Sequence, residues 1–323
     1  MGIRSAKLRK TMVESTEQKY KEVELGFGNK NYKSKIRFLN KNGSVNIRRK
    51  GIHLFERLDV YHWLITTKTS RLLTIIFISY IIVNLLFACV YFALGPESFG
   101  GISVETVSGK FMALFFFSAQ TLTTVGYGHI YPVSSVASVV AAIESMMGLL
   151  GFALATGVVY GRFSRPEAKL LFSKKILISP YRGRKGLMFR IANTRQNELI
   201  EAEANITLAF TNPNTNKREF AQLPLERSKI NFLTLSWTIV HPIDENSLFY
   251  KVPFEELSKY DIEVIILIKA INDTYSQNVY VRSSYKFDDL VNNAAFVPVK
   301  QEENEYGKIE IDLNDIHLYK TAE

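Results

Sequence analysis

Cysteine is nearly absent. One residue, Cys89, stands in 323, which excludes a disulfide scaffold and any cysteine-rich zinc site built within one chain. Histidine is scarce too, and His53, His62, His241 and His317 are too scattered for a metal site. No Gly-x4-Gly-Lys-Ser/Thr loop, no His-Glu-x-x-His and no Gly-x-Ser-x-Gly occurs, so the common signatures of nucleotide, zinc-hydrolase and serine-hydrolase chemistry are missing. With no nucleophile or metal cluster, neither an enzyme nor a cofactor is expected. The first 70 residues lack an apolar core segment, so a cleaved signal peptide is not expected either.

Charge is missing as well, in one place. Residues 1–71 hold 17 basic and 6 acidic side chains, whereas residues 72–161 hold only Lys110 against Glu97, Glu105 and Glu144. Residues 162–190 return to a net +8 and residues 191–323 carry −8. The overall +9 is therefore spread as basic, nearly uncharged, basic, acidic. That is not the field of a basic protein seeking nucleic acid.

The uncharged stretch has three apolar pieces. Residues 72–94 form 23 positions without a charge, about 35 Å as a helix and enough to cross a hydrocarbon core of about 30 Å. Residues 133–161 form a second, longer span with one ionisable group, Glu144, and with Gly148, Gly151, Ala153, Ala155 and Gly157 for close helix contact. Between them residues 111–122 are too short to span. A re-entrant half-helix fits there. Bases flank both spans on one side: Arg71 and the segment before it, then Arg162, Arg165 and Lys169. The positive-inside rule then puts both termini in the cytoplasm and the Gly95–Lys110 connection outside.

The chemistry follows the half-helix, in Thr121-Leu-Thr-Thr-Val-Gly-Tyr-Gly128. Irregular backbone at membrane depth survives only where protein buries it or where it lines a water-filled path. If four copies surround an axis, the carbonyls of Thr124, Val125, Gly126 and Tyr127 stack as oxygen rings that replace a cation's hydration shell. Gly126 and Gly128 allow the positive φ that turns successive carbonyls toward one axis. The half-helix ends with its partial negative charge toward that path. Potassium suits the filter at 124–128 better than a divalent ion, because no Asp or Glu stands in it.

With these residues the chain resembles the inward-rectifier potassium channels, and their bacterial branch in particular. Phe115-Phe-Phe-Ser-Ala-Gln-Thr-Leu-Thr-Thr-Val-Gly-Tyr-Gly128, Gly161-Arg-Phe-Ser-Arg-Pro166, Ser236-Trp-Thr-Ile-Val-His-Pro-Ile-Asp244 and Val281-Arg-Ser-Ser-Tyr285 follow that family's segments in order. The resemblance runs from roughly residue 40 to 320, leaving residues 1–35 as an unmatched tail expected to be disordered. It implies a membrane α plus β protein: two transmembrane helices with a half-helix and filter (71–163), then a cytoplasmic immunoglobulin-like β-sandwich (164–323). It further implies a homotetramer in the inner membrane, passing K+ without a cofactor.

Residues after Pro166 point the same way on their own. Short β-rich runs at 187–192, 204–211, 232–240, 262–271, 279–285 and 296–299 are broken by turn signals such as Asn212-Pro-Asn-Thr-Asn216. No long helical pattern separates them, which favours an antiparallel sandwich over a parallel nucleotide-binding sheet. A voltage sensor is not expected, since neither span carries repeated Arg.

The family register makes residues 145, 149, 152, 156 and 160 the pore face of the second span. Tyr160 then matches the bulky position at the inner bundle crossing, and Phe152, with Thr156 below it, the cavity position where strong rectifiers carry an acid. Weak polyamine block is expected, although helix packing also explains both aromatics. Gly148 is a candidate hinge or a packing position. Glu144, the one ionisable residue within the spans, points about 80° from Phe152, toward the half-helix or a neighbouring subunit. Its role is a protonated or hydrogen-bonded support for the filter, or a direct effect on ions. Gln120 replaces a family Glu and His129 its basic partner, so the bracing of the filter departs from the family pattern.

Residues 54–67 read as an amphipathic interfacial helix with Tyr61 and Trp63 at headgroup level, which the resemblance makes a slide helix within a cytoplasmic segment at 36–70. Arg48, Arg49 and Lys50 before it, with Arg162, Arg165, Lys169, Lys174 and Lys175 after the second span, form a seam suited to anionic phospholipid, or plain positive-inside topology. In the sandwich Glu201 matches an acidic position of the family's cytoplasmic pore, whereas Lys269 stands where rectifying members have an acid, and Asn292-Asn-Ala-Ala295 replaces a Trp-Gly-His type stretch. The competing reading is a non-conducting membrane sensor whose sandwich binds a lipid or partner.

Overall fold

The computed structural model describes residues 37–47, 51, 59–166, 168–212, 216–303, 305–307 and 309–322. The tail at 1–35, Arg48, Arg49, Lys50 and residues 52–58 of the interfacial stretch lie outside the described residues. The chain divides into two compact units, one at 50–165 and one joining the residues before 50 to those from 166 onward.

The first unit is helical. Helix α1 is Val60–Thr66, opened by Asp59, whose carboxylate accepts the His62 backbone N–H at 3.0 Å. Helix α2, Thr69–Ala93, and helix α4, Ser135–Phe163, are both long and apolar enough to cross a membrane. Helix α3, Val107–Leu122, lies between them in the chain. It starts four residues before the expected 111, because Thr106 caps it by accepting the Gly109 N–H at 3.2 Å. That cap draws the polar turn Val107-Ser-Gly-Lys into the helix. Ser134 opens α4 in the same way through Ala137 N–H.

A two-stranded pairing of Phe99–Gly100 with Tyr131–Pro132 ties the chain entering α3 to the chain leaving the filter. The excursion through half-helix and filter is thereby closed at its base. Gly101 makes this possible: its φ is +86°, and a Cβ there would meet the His129 carbonyl oxygen at 1.8 Å. Below it Tyr91, Phe99, Leu114, Phe117 and Ala137 form a buried cluster, with the Tyr91 ring 5.2 Å from both Phe99 and Phe117 in edge-on contacts. Each large side chain buried this way contributes about 1.5–3 kcal/mol, so the half-helix is anchored through Leu114 and Phe117 near its middle.

The second unit is a sandwich of two five-stranded sheets. One runs Gln277–Lys286, Glu263–Asn272, Leu199–Thr211, Arg218–Gln222, with Lys229–Leu233 also paired on Leu199–Thr211. The other runs Leu290–Asn292, Ile176–Tyr181, Arg184–Asn193, Leu170–Phe172, with Ser236–Ile243 also paired on Arg184–Asn193. All these pairs are antiparallel except Leu290–Asn292 with Ile176–Tyr181. Alternate residues, including Leu187, Phe189 and Ile191 on one sheet and Val264, Ile266 and Ile268 on the other, fill a common core, as period-two patterning requires. The run expected at 232–240 is two strands, ending at Leu233 and restarting at Ser236.

Residues 36–70, read from sequence as one segment, are divided. Residues 37–47 belong to the sandwich unit and α1 to the helical unit. The reason is side-chain chemistry at Phe38, which packs with Ala209 and Phe220, its ring 6.0 Å from that of Phe220.

Candidate functional site: the filter segment and its supports

Residues Thr124–Gly128 follow directly from the end of α3. The N–H groups of Val125 and Gly126 both donate to the Gln120 carbonyl, at 2.9 and 3.3 Å, and Thr124 N–H donates to the Thr121 carbonyl at 3.0 Å. These bonds satisfy the Gln120 and Thr121 carbonyls at the helix end and carry the chain out of the helix. Thr124, Gly126 and Gly128 have φ of +59°, +53° and +77°, an alternation that two glycines make cheap and that strains Thr124. Among the described residues the carbonyls of Thr124, Val125, Gly126 and Tyr127 accept no hydrogen bond. All four residues are exposed in the single chain, Tyr127 at 76%.

Behind the filter lies a buried polar group that sequence reading assigned only in part. Glu144 on α4 is fully buried, and Tyr91 on α2 donates its hydroxyl to Glu144 Oε2. Ser118 on α3 is hydrogen-bonded with Glu144 Oε1 and with Asn84 Oδ1, the latter at 3.0 Å. Asn84, Tyr91 and Ser118 are missing from the sequence-derived site. A polar Asn in an otherwise apolar span was the one signal that could have found this group. Gln120, also expected as a support, meets the filter instead, its backbone carbonyl accepting from Val125 and Gly126.

Helix α4 touches the end of α3 at two further levels. Ser145 Oγ donates to the Thr121 carbonyl at 3.4 Å, and a Cβ on Gly148 would meet the Leu122 carbonyl oxygen at 1.8 Å. Gly148 is thus a close-packing position in a helix that runs unbroken from Ser135 to Phe163. Phe152, Thr156 and Tyr160 are exposed, Phe152 and Tyr160 at 75% and 72%.

A model of the inward rectifier potassium channel C-terminal domain matches residues 170–323, and an ion channel model matches residues 79–165. Inward rectifier potassium channel Kirbac3.1 of Paramagnetospirillum magnetotacticum is 35% identical over 287 residues, covering 88% of this chain and 95% of that protein. The chain belongs to the inward rectifier potassium channel family. More distant matches within it are inward rectifier potassium channel 4 of Rattus norvegicus, 27% identical over 86% of this chain and 71% of that one, and G protein-activated inward rectifier potassium channel 2 of Mus musculus, 26% identical over 88% and 72%. The family makes this a membrane protein and a channel rather than an enzyme.

The basic residues expected at the channel's membrane seam have unequal freedom. Arg162 donates to the Thr67 carbonyl at the end of α1, and Lys175 Nζ donates to the Asp288 carbonyl at 2.7 Å. Arg165, Lys169 and Lys174 are exposed. Burial and then the Lys174 charge push the His317 imidazole below its ordinary pKa. In the sandwich, Glu201 has φ +51° and pairs with Lys229 at 3.0 Å, both side chains exposed. Lys269 faces Glu203 across the neighbouring strand.

Proposed function

We propose that this chain is one protomer of a homotetrameric, potassium-selective channel that conducts passively across the inner membrane. One observation carries the reading: four consecutive peptide carbonyls, from Thr124 to Tyr127, without hydrogen bonds among the described residues, in a segment held by positive φ at 124, 126 and 128. Such oxygens at membrane depth are costly unless a cation takes the place of the missing donors. Four copies supply rings of them. The exposed Tyr127, Phe152 and Tyr160 of the single chain are consistent with surfaces covered by, or facing, other copies.

In this reading α3 aims its C-terminal dipole at the ion path, Thr156 lines the cavity and Tyr160 narrows its cytoplasmic end. Both termini are cytoplasmic. Phe152 gives the cavity no acid, so polyamine block is weak, and an acid at that position makes it steep. Anionic phospholipid regulates the channel through Arg165, Lys169 and Lys174, joined by Arg48, Arg49 and Lys50, each base near an anionic leaflet contributing about 1 kcal/mol. Glu201, paired with Lys229, adds little field to a cytoplasmic path.

The test is potassium flux into liposomes across a series of anionic lipid content. Flux that barium blocks, that excludes sodium and that a Gly126 substitution abolishes supports the channel. No flux at any lipid composition from folded, correctly inserted protein overturns it in favour of a non-conducting sensor.

A further inference from the structure

Among the described residues, the polar side chains buried in the helical unit gather at one place, where α2, α3 and α4 meet: Asn84 and Tyr91, Ser118, and Glu144, each fully buried. Their hydrogen bonds can be counted proton by proton. Asn84 Nδ2 donates to the Tyr80 carbonyl at 2.7 Å, which fixes the amide so that Oδ1, an acceptor only, faces Ser118 Oγ at 3.0 Å. Ser118 Oγ also meets Glu144 Oε1, and the Tyr91 hydroxyl meets Glu144 Oε2.

These are three contacts among side chains: Asn84 with Ser118, Ser118 with Glu144, and Glu144 with Tyr91. Three contacts need three protons. The two hydroxyls supply one each, and Asn84 Oδ1 supplies none. An ionised Glu144 therefore leaves one contact as two lone pairs facing each other in a buried site, the costly case of a partly satisfied network. A proton on Glu144 Oε1 closes the count. Glu144 then donates to Ser118, Ser118 donates to Asn84, Asn84 donates to the Tyr80 carbonyl, and Tyr91 donates to the free Oε2. A proton on Oε2 instead strands the Tyr91 hydrogen and leaves Ser118 short.

Charge leads to the same place. Tyr91 on α2 is the other titratable group at Glu144; α3 brings Ser118, and its one base, Lys110, lies two turns away; α4 brings no further charge before Arg162. A buried carboxylate with no cation costs several kcal/mol, whereas a carboxylic acid here has every polar atom partnered.

We propose that Glu144 is held as a neutral carboxylic acid and acts as a hydrogen-bond donor, a positioning residue that ties α4 to the half-helix and to α2. The tie sits one turn from the Ser145 to Thr121 bond and the Gly148 to Leu122 contact, the two contacts that α4 makes where α3 hands over to the filter. The filter's orientation thus rests on a proton.

Three variants in the full-length channel test this, with two independent readouts. Infrared difference spectra of the purified tetramer read the carboxyl directly, whether or not the chain conducts, so a failed channel reading is distinguishable from a failed proton assignment. The expected result is a protonated-carboxyl C=O band that E144Q removes and S118A shifts. Because a neutral amide can donate to Ser118 and accept from Tyr91, E144Q keeps potassium flux and potassium-over-sodium selectivity within about twofold of wild type, whereas E144A lowers selectivity about tenfold or more. Absence of the band in wild-type protein, or an E144Q channel as impaired as E144A, overturns the proposal.

Discussion

The Glu263 carboxylate accepts the backbone N–H of Phe38, 225 residues earlier in the chain, at 3.0 Å. It accepts the N–H of Leu39 as well, at 3.1 Å. Glu263 is fully buried, and Arg218, itself 4% exposed, approaches it at 3.7 Å while stacking over the Phe38 ring at 5.5 Å. One buried ion pair thus does the work of a strand partner for residues 37–47. Glu263→Ala strands two N–H groups and leaves Arg218 with Asp261 as its remaining acid. The expected cost is about 3–5 kcal/mol, read as lost thermal stability and as rapid hydrogen exchange at residues 38 and 39.

Asp289 holds the same segment through Lys41 at 2.6 Å and Arg37 at 2.7 Å. Burial opposes its charge, but hydrogen bonds from Lys41, the Lys286 backbone and Arg37 hold its pKa below the ordinary value. A depressed folded-state pKa stabilises at pH above the unfolded value, about 3.9, and that contribution is lost as pH falls through the lower folded one. Protection of residues 37–47 from exchange should therefore drop in that acidic window. Asp289→Asn should lower it at neutral pH by about 1–2 kcal/mol, Lys41 being solvent-screened, and flatten the acid dependence.

His241 provides the opposite partner chemistry in the sandwich core. Its Nδ1 donates to the Pro224 carbonyl at 2.6 Å, and its Nε2, an acceptor in the neutral ring, meets the Ser247 hydroxyl at 2.8 Å. Burial pushes its pKa below the ordinary value. The unfolded chain takes up a proton near pH 6.5 that the folded one refuses, so stability is full above that value and declines as pH falls toward the folded pKa. Melting temperature should fall with pH over this range in wild-type protein and lose that slope in His241→Gln, which is less stable at neutral pH by about 1–2 kcal/mol.

Gly148→Ala puts a Cβ where the Leu122 carbonyl already sits. Backbone must move, at a cost of about 1–3 kcal/mol, and the carbonyl that moves belongs to the last residue of the half-helix. The expected outcome is a tetramer less resistant to detergent and a channel with reduced potassium flux. Gly151→Ala, where a Cβ meets nothing within 4 Å in the protomer, is the matched control.

Much of the helical unit was legible because lipid imposes length and apolarity on any span, and because a carbonyl filter needs glycine at fixed places. The boundary of α3 was less so, since a single Thr106 hydrogen bond outweighs the polarity of Val107-Ser-Gly-Lys. Glu144 stood out as a lone charge in an apolar run. Ser118 and Tyr91 did not, because a hydroxyl there reads as ordinary helix composition, and Asn84, the one polar signal in its span, names no partner until three helices come together. The docking of Phe38 on Glu263 was invisible for a similar reason: nothing local in residues 37–47 points to a carboxylate on a strand far along the chain.

The alternation of backbone torsions at Thr124, Gly126 and Gly128 also limits what genetics can reach. Every amino acid brings the same carbonyl oxygen, so a codon change in this segment alters where the oxygens point and never whether they exist. Substitution there probes aim; only replacing the amide by an ester, which keeps the side chain and weakens the oxygen as an electron donor, probes the ligand itself.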